Sequence, residues 1–205
     1  MFSYDNKLLY VASNLGRDKI AVYTFDPDAN KTRDLVFEHP DVDVSSLISS
    51  KKRKVITGVV YTTDKSHYHF FDKDRKELQD TLEKFFPGYE VAVTGMDDDE
   101  RRATVRVYGD RTRGGSYLFD RQNNSLTKLA DHSPWLKEAE MAPMEPIQYT
   151  SRDGLTIHGY LTLPLGVASR DLPLVVIPHG GARLPRPAPR GHPPRRPQRA
   201  GILGL

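Results

Sequence analysis

The stretch Leu172-Pro-Leu-Val-Val-Ile-Pro-His-Gly-Gly181 decides how the chain is interpreted. Residues Leu174 to Ile177 are apolar and branched with no polar alternation, which predicts a strand buried on both faces, as in a sheet covered by helices. The strand ends at Pro178, and two glycines follow shortly after it. Glycines allow backbone conformations closed to other residues and let a ligand approach main-chain N–H groups. These ten residues alone do not distinguish a loop that binds a ligand through its main chain from a strand followed by an ordinary tight turn.

A β-hairpin is predicted upstream, over Tyr149–Pro164, with Asp153-Gly154 at its turn. Asp-Gly between two strand-like runs is the strongest short-range hairpin signal. Together, Arg152-Asp-Gly154, Gly159-Tyr-Leu161 and His179-Gly-Gly181 resemble the start of the catalytic domain in the prolyl oligopeptidase family of serine peptidases. The similarity is strongest to the acylaminoacyl-peptidase and dipeptidyl-peptidase-like branch, and it covers roughly residues 1–181.

The resemblance implies a role for the His-Gly-Gly motif. In α/β-hydrolases a loop of this kind follows the third strand and supplies one donor of the oxyanion hole. The match places the Gly181 N–H at that donor position, with His179 and Gly180 shaping the loop. It also implies cleavage of short or acylated peptides, with no cofactor and no metal, and an N-terminal β-propeller that restricts access to the site.

The catalytic triad of this family has no counterpart in the chain. Its Ser, Asp and His lie C-terminal to the His-Gly-Gly loop, in that order. Residues 182–205 contain neither serine nor aspartate, and their one histidine is His192. Nucleophilic attack needs a hydroxyl held against a base, so we expect no peptidase activity from the chain on its own.

The last 24 residues have a composition of their own, with six Pro and six Arg. Such a segment suits neither a helix nor a central strand, which predicts a disordered tail. The resemblance stops at Ala182, where the family pattern has proline, so we interpret the tail as the product of a reading-frame shift or a mis-called gene. The alternative is a polyproline-type or RNA-binding arm.

Charge and composition limit the possible partners. The chain of 205 residues has 30 Lys and Arg against 27 Asp and Glu, but six of the arginines follow Gly181. Residues 1–181 therefore hold 24 basic and 27 acidic residues, a net charge of −3. This balance gives no case for nucleic-acid binding, and no apolar run approaches the ~20 residues of a membrane span. The oligomeric state stays open.

The sequence also bears on redox chemistry and on cellular location. The chain has no cysteine, which excludes disulfides and thiolate chemistry. Nothing at the N-terminus resembles a signal peptide, so we expect a cytoplasmic location. The sequence begins within a repeat, however, and we interpret its N-terminus as truncated.

Residues 1–135 contain an internal repeat. Phe-Asp pairs recur at residues 25, 71 and 119, spaced 46 and 48 apart, and Val11, Val59 and Val107 recur at a spacing of 48. A repeat of about 40–50 residues, built from short strands and polar turns, is typical of β-propeller blades. The predicted fold is thus mainly β: a partial β-propeller of about three blades, followed by the first strands of an α/β-hydrolase domain and the disordered tail.

The domain boundaries follow from these features. We place the partial β-propeller at residues 1–136, a linker at 137–146, the start of the α/β-hydrolase domain at 147–181 and the tail at 182–205. In the second repeat, an insert over Glu77–Phe86 is expected to form a short amphipathic helix that caps the blade and ends at Pro87-Gly88. A partner-binding helix is the alternative. The predicted apolar face of that helix consists of Leu78, Leu82, Phe85 and Phe86.

Several charged or nucleophilic clusters also have a structural interpretation. Lys51–Lys54 and Asp97–Glu100 occupy the same position in two repeats with opposite charge, which favours solvated hairpin turns over a nucleic-acid patch or a Ca²⁺ site. His67 and His69 share one strand face, as two metal ligands would. No third ligand is identifiable, so a strand with one polar and one aromatic face is favoured.

The sequence Gly114-Gly-Ser-Tyr-Leu118 imitates half of a nucleophile elbow. The elbow needs Gly-x-Ser-x-Gly because its strained turn requires small residues on both sides of the serine. Leu118 replaces the second glycine, so Ser116 is predicted to be structural.

A second functional class fits part of the pattern. A non-catalytic β-propeller binding module would need the repeat but neither the hairpin nor the His-Gly-Gly loop. The presence of both favours the peptidase interpretation.

Overall fold

The computed structural model describes the backbone of residues 1–178 and 202–204. The chain divides into two compact units. The first comprises residues 1–109 and 114–132, and the second comprises residues 110–113 and 133–205. Separate, mostly antiparallel sheets dominate the described residues, which confirms the mainly β fold class. None of the helices in these residues has the length and apolar character needed to span a membrane.

The first unit contains three antiparallel sheets and one helix. The first sheet has the strand order β1 (Leu9–Ser13), β2 (Ala21–Asp26), β3 (Lys31–Phe37). The second has the order β4 (Val44–Ser50), β5 (Val55–Thr62), β6 (Ser66–Phe70), and helix α1 (Lys73–Phe85) follows it. The third consists of four strands, paired in chain order: β7 (Glu90–Met96), β8 (Arg102–Gly109), β9 (Thr112–Asp120) and β10 (Ser125–Asp131).

The sequence repeat maps onto equivalent strands of these sheets. Val11, Val59 and Val107 lie on β1, β5 and β8, respectively. The first sheet therefore holds the equivalents of β8, β9 and β10, and the second holds the equivalents of β7, β8 and β9. After β6, helix α1 occupies the chain position that β10 has in the third sheet.

The aspartate of each Phe-Asp pair closes the turn that follows it. Its carboxylate accepts a hydrogen bond from the backbone N–H three residues on: Ala29 to Asp26 at 2.9 Å, Arg75 to Asp72 at 2.8 Å and Asn123 to Asp120 at 3.2 Å. In the first and third sheets the chain then reverses direction at an asparagine with positive φ, which is Asn30 (49°) in the first and Asn124 (47°) in the third. In the second sheet the same bond caps the N-terminus of α1.

The predicted start of the helix at Glu77 is therefore wrong, because α1 begins at Lys73 with Asp72 as its N-cap. The predicted apolar face is mostly correct. Leu78 and Leu82 are buried, and Phe86, just after the helix, packs against the same core. Phe85 is 41% exposed, but its ring still meets that of Phe119 edge-on at 6.0 Å.

Two apolar clusters stabilise the first unit. In the larger, α1 packs on the third sheet, and the members are Leu78, Leu82, Val91, Ala103, Val105, Val107 and Phe119. In the smaller, Val22, Val44 and Val59 join the first two sheets. Each fully buried aliphatic side chain of this size contributes about 1.5–3 kcal/mol relative to an exposed one.

The second unit is built on the predicted hairpin. Strands β11 (Met144–Thr150) and β12 (Thr156–Thr162) pair antiparallel, after a one-turn 3-10 helix at Glu138–Glu140. The hairpin prediction is confirmed, with Gly154 at a φ of 82° in its turn. Two short strands complete the sheet, β13 (Val176–Pro178) and β14 (Ile202–Gly204), in the order β11-β12-β14-β13.

The strand predicted at Leu174–Ile177 differs from expectation in length and in burial. Only Val176–Pro178 is extended, and it forms the edge of the sheet. Leu174 is 71% exposed and Ile177 is 44% exposed, so the prediction of burial on both faces is wrong. The physical reason is the missing cover: in the described part of the second unit, the only helix is the single 3-10 turn.

Candidate functional site

The predicted oxyanion-hole loop begins directly after β13. This strand pairs antiparallel with β14 in the register Val176–Gly204 and Pro178–Ile202. The loop residues His179, Gly180 and Gly181 lie outside the described residues. Their role as the donor loop therefore stays a prediction.

The hairpin turn beside this sheet is closed by its own polar side chains. The Ser151 hydroxyl donates to the Asp153 carboxylate, and the Ser151 N–H donates to the Leu155 carbonyl at 2.8 Å. The hydroxyl hydrogen bond, together with the Leu155 N–H, holds the pKa of Asp153 below its usual value. Asp153 therefore stabilises the hairpin turn, and its carboxylate is exposed to solvent.

The charged turns of the second and third sheets contact each other. Arg53, in the turn after β4, pairs with Asp72 through two hydrogen bonds of 2.5 and 2.9 Å, and lies 3.6 Å from Glu100. Glu100 lies in the turn after β7, and its side chain is only 12% exposed. A second link runs from the Lys52 ammonium to the Asp99 carbonyl at 2.8 Å.

Arg121 extends this cluster from the turn after β9. Its guanidinium donates to Asp74 on α1 at 2.5 and 3.2 Å, and to the Glu100 carbonyl at 3.3 Å. The hydrogen bond from Arg53 lowers the pKa of Asp72, and the one from Arg121 lowers the pKa of Asp74. The hairpin turns are confirmed and most of their charged residues are exposed, but Arg53 and Glu100 also form an ion pair between the turns. Opposite charges at one repeat position were the signal that successive sheets contact each other there.

The two histidines of β6 belong to a surface of stacked rings. His69 lies 4.8 Å from the ring of Phe37, and His67 lies 5.5 Å from that of Tyr61. Within the described residues, no group of three or more histidine, aspartate or glutamate side chains could hold a metal ion. The opposite face of β6 carries the rings of Tyr68 and Phe70, stacked at 5.8 Å, so the strand has one histidine face and one aromatic face, as predicted.

Comparison with known proteins shows what the chain is similar to. No protein-family model matches the chain. The chain is 29% identical over 184 residues, 86% of its length, to dipeptidyl aminopeptidase BIII of Pseudoxanthomonas mexicana. The resemblance to the prolyl oligopeptidase family is confirmed. The chain spans about a quarter (26%) of the length of that relative. Among solved structures it is similar to prolyl oligopeptidase B from Galerina marginata, with a TM-score of 0.45 and 16% identity over 75% of this chain and 22% of that one.

The structure reveals one serine–histidine contact that sequence reasoning missed. Ser116 Oγ lies 2.8 Å from His132 Nε2, a distance typical of a nucleophile and its base. In the prolyl oligopeptidase pattern, however, the nucleophile follows the His-Gly-Gly loop. Ser116 instead lies in the middle of β9, paired with Ala130.

The glycines before Ser116 serve the same strand packing. Gly114 has a φ of 60°, and a Cβ on it would lie 1.8 Å from the Val107 carbonyl oxygen. A Cβ on Gly115 would lie 2.7 Å from the Ala130 carbonyl oxygen. Close approach of neighbouring strands therefore accounts for both glycines, without a nucleophile elbow, and we keep the structural interpretation of Ser116.

Proposed function

We propose that the chain is part of a serine peptidase of the prolyl oligopeptidase family that hydrolyses short or acylated peptides. The observation that carries this proposal is the 29% identity to a dipeptidyl aminopeptidase across 86% of the chain. The predicted motifs support it, because the hairpin at Asp153-Gly154 and the strand that leads into His179-Gly-Gly181 belong to one small sheet. No cofactor is part of the proposal.

The three sheets of the first unit are, on this proposal, blades of a partial β-propeller covering residues 1–136. Each sheet is antiparallel, and equivalent strands carry the repeated Val and Phe-Asp positions. The linker predicted at residues 137–146 overlaps the start of β11 at Met144, so on this proposal residues 137–143 form the linker and residues 144–181 the first strands of an α/β-hydrolase domain. The division between the compact units falls nearby, between His132 and Ser133.

We propose that His179, Gly180 and Gly181 form the oxyanion-hole loop, with the Gly181 N–H as donor. An oxyanion hole stabilises negative charge that only a nucleophilic attack creates. Since residues 182–205 offer neither serine nor aspartate, this chain alone would hold a donor loop without the groups that use it.

The test is a peptidase assay on the purified chain. Dipeptidyl and N-acyl-aminoacyl p-nitroanilides serve as substrates, and the similar dipeptidyl aminopeptidase serves as positive control in the same buffer. We expect release of p-nitroaniline by the control alone. A chimera, in which residues 182–205 are replaced by the corresponding C-terminal part of the relative, is expected to gain activity. Failure of this chimera, when soluble and folded, would contradict the family assignment of the loop.

A further inference from the structure

A pocket lies in the first unit, between the start of β6, the last turn of α1 and the start of β7. Its volume is about 180 Å³, well above the roughly 30 Å³ that one water molecule occupies in the liquid. It lies within the proposed propeller and contains none of the residues assigned to the donor loop. Its lining residues are Lys65, Ser66, His67, Tyr68, Glu83, Tyr89, Glu90 and Val91.

Two carboxylates of this pocket are held in place by hydrogen bonds. Glu83 Oε1 accepts from Gln79 Nε2 at 2.9 Å, and Glu90 Oε2 accepts from the Ser66 N–H at 3.2 Å. An ionised carboxylate has about four lone-pair sites, so each group retains acceptor capacity beyond the bond that orients it. The pocket therefore presents two oriented negative charges from different elements.

Two tyrosine side chains, one of them that of Tyr89, which is 37% exposed, complete the lining of this open pocket. Tyr68 and Tyr89 both line it, and the face of a tyrosine ring attracts cations. The pKa of Tyr68 is raised to about 12, mainly because its hydroxyl is buried and to a lesser extent because Tyr108 and Glu90 lie nearby. This shift has the direction expected where a buried phenol meets a negative potential.

We propose that this pocket binds an organic cation with an ammonium head and a short aliphatic stem, such as a free alkylamine or a lysine side chain. The head would be held by Glu83 and Glu90, and the stem would contact the rings of Tyr68 and Tyr89. Lys65 also lines the pocket, and its ammonium competes with the ligand. Lys65 forms no ion pair within 4.0 Å among the described residues.

The experiment is an NMR titration of the isotopically labelled full chain with butylammonium chloride, with sodium butyrate as the charge-reversed probe. We expect saturable shifts at the Ser66 and Val91 amides with butylammonium and none with butyrate. A second titration with N-acetyl-lysine methylamide tests whether the pocket binds a lysine side chain as well as a free alkylamine. Binding of either ammonium probe supports the proposal, and the pair distinguishes the two sources. Equal shifts from butyrate, or shifts confined to other residues, would overturn it.

Isosteric variants make the test specific. Glu83→Gln with Glu90→Gln keeps an acceptor oxygen for both orienting hydrogen bonds, and should weaken butylammonium binding at least about tenfold, because both charges are lost. Glu77→Gln, on the exposed face of the same helix, is the matched control and should bind as the unmodified chain does. Lys65→Gln should tighten binding about threefold or more, since a like charge is removed. Unchanged binding by the double variant, or weaker binding by Lys65→Gln, would contradict the proposal.

Discussion

The Asp72 cap of α1 offers a test of how the repeat is built. Asp72→Ala removes the 2.8 Å hydrogen bond to the Arg75 N–H and the paired contact with Arg53. Loss of an N-cap costs about 1 kcal/mol, and a partly exposed ion pair contributes about 0.5 kcal/mol, so we expect a total of about 1.5 kcal/mol. Asp72→Asn keeps a capping oxygen and loses the ion pair, so its cost should be about 0.5 kcal/mol.

Hydrogen exchange of the helix amides measures this difference locally. Peptides covering residues 73–85 should exchange about tenfold faster in Asp72→Ala and only two- to threefold faster in Asp72→Asn, since about 1.4 kcal/mol corresponds to a factor of ten. Asp80→Ala is the control. It removes only an exposed pair with Lys76, and the higher helix propensity of alanine offsets that loss.

Two results would refute this reasoning. Equal acceleration in the alanine and asparagine variants would mean that the cap contributes nothing beyond its charge. Fast exchange across the first turn after Asp72 in the unmodified chain would mean that the helix begins near Glu77, as the apolar spacing alone suggested.

The remaining predictions concern acid stability and a glycine. Asp72 and Asp74 have pKa values below the usual aspartate value in the folded chain, so the unfolded chain binds more protons near pH 4. Their stabilising contribution is full above about pH 4 and is lost as the pH falls further. Urea-unfolding midpoints measured between about pH 2 and 6 should therefore fall on acidification. A midpoint that rises on acidification would contradict this prediction. Gly114→Ala should destabilise the third sheet by more than about 2 kcal/mol, because its Cβ would clash with the Val107 carbonyl at 1.8 Å. Gly88→Ala is the comparison, since that site has a φ of 87° but open space, and equal losses in circular-dichroism melts would show that only backbone strain matters.

Local signals in the sequence predicted the local structure well. The Asp153-Gly154 turn sets the hairpin because glycine adopts the positive φ that the turn requires, and no distant contact is needed for that choice. The start of α1 was missed for an instructive reason. The same aspartate hydrogen bond closes a hairpin turn after Asp26 and Asp120 but begins a helix after Asp72. The helix-forming residues that follow, with Leu78 and Leu82 one turn apart, decide between the two outcomes.

Features that depend on distant partners were less predictable. An apolar run such as Leu174–Ile177 is buried only where another layer covers it, and the run itself carries no information about that layer. For the charged turns, the sequence held a usable signal, since Lys51–Lys54 and Asp97–Glu100 are equivalent turns of two repeats with opposite charge. The Ser116–His132 contact could not be predicted without knowing the strand register that pairs β9 with β10. The assignment of His179, Gly180 and Gly181 stays a prediction.

We propose above that His179, Gly180 and Gly181 form a donor loop of the prolyl oligopeptidase type and that these 205 residues carry no reactive nucleophile of their own. Incubation of the purified chain with a fluorophosphonate, followed by intact-mass measurement, tests it most directly, because that reagent modifies activated serines. We predict an unmodified mass while the similar dipeptidyl aminopeptidase is labelled fully under the same conditions. A stoichiometric phosphonyl adduct on the chain, at Ser116 or at any other serine, would contradict the account.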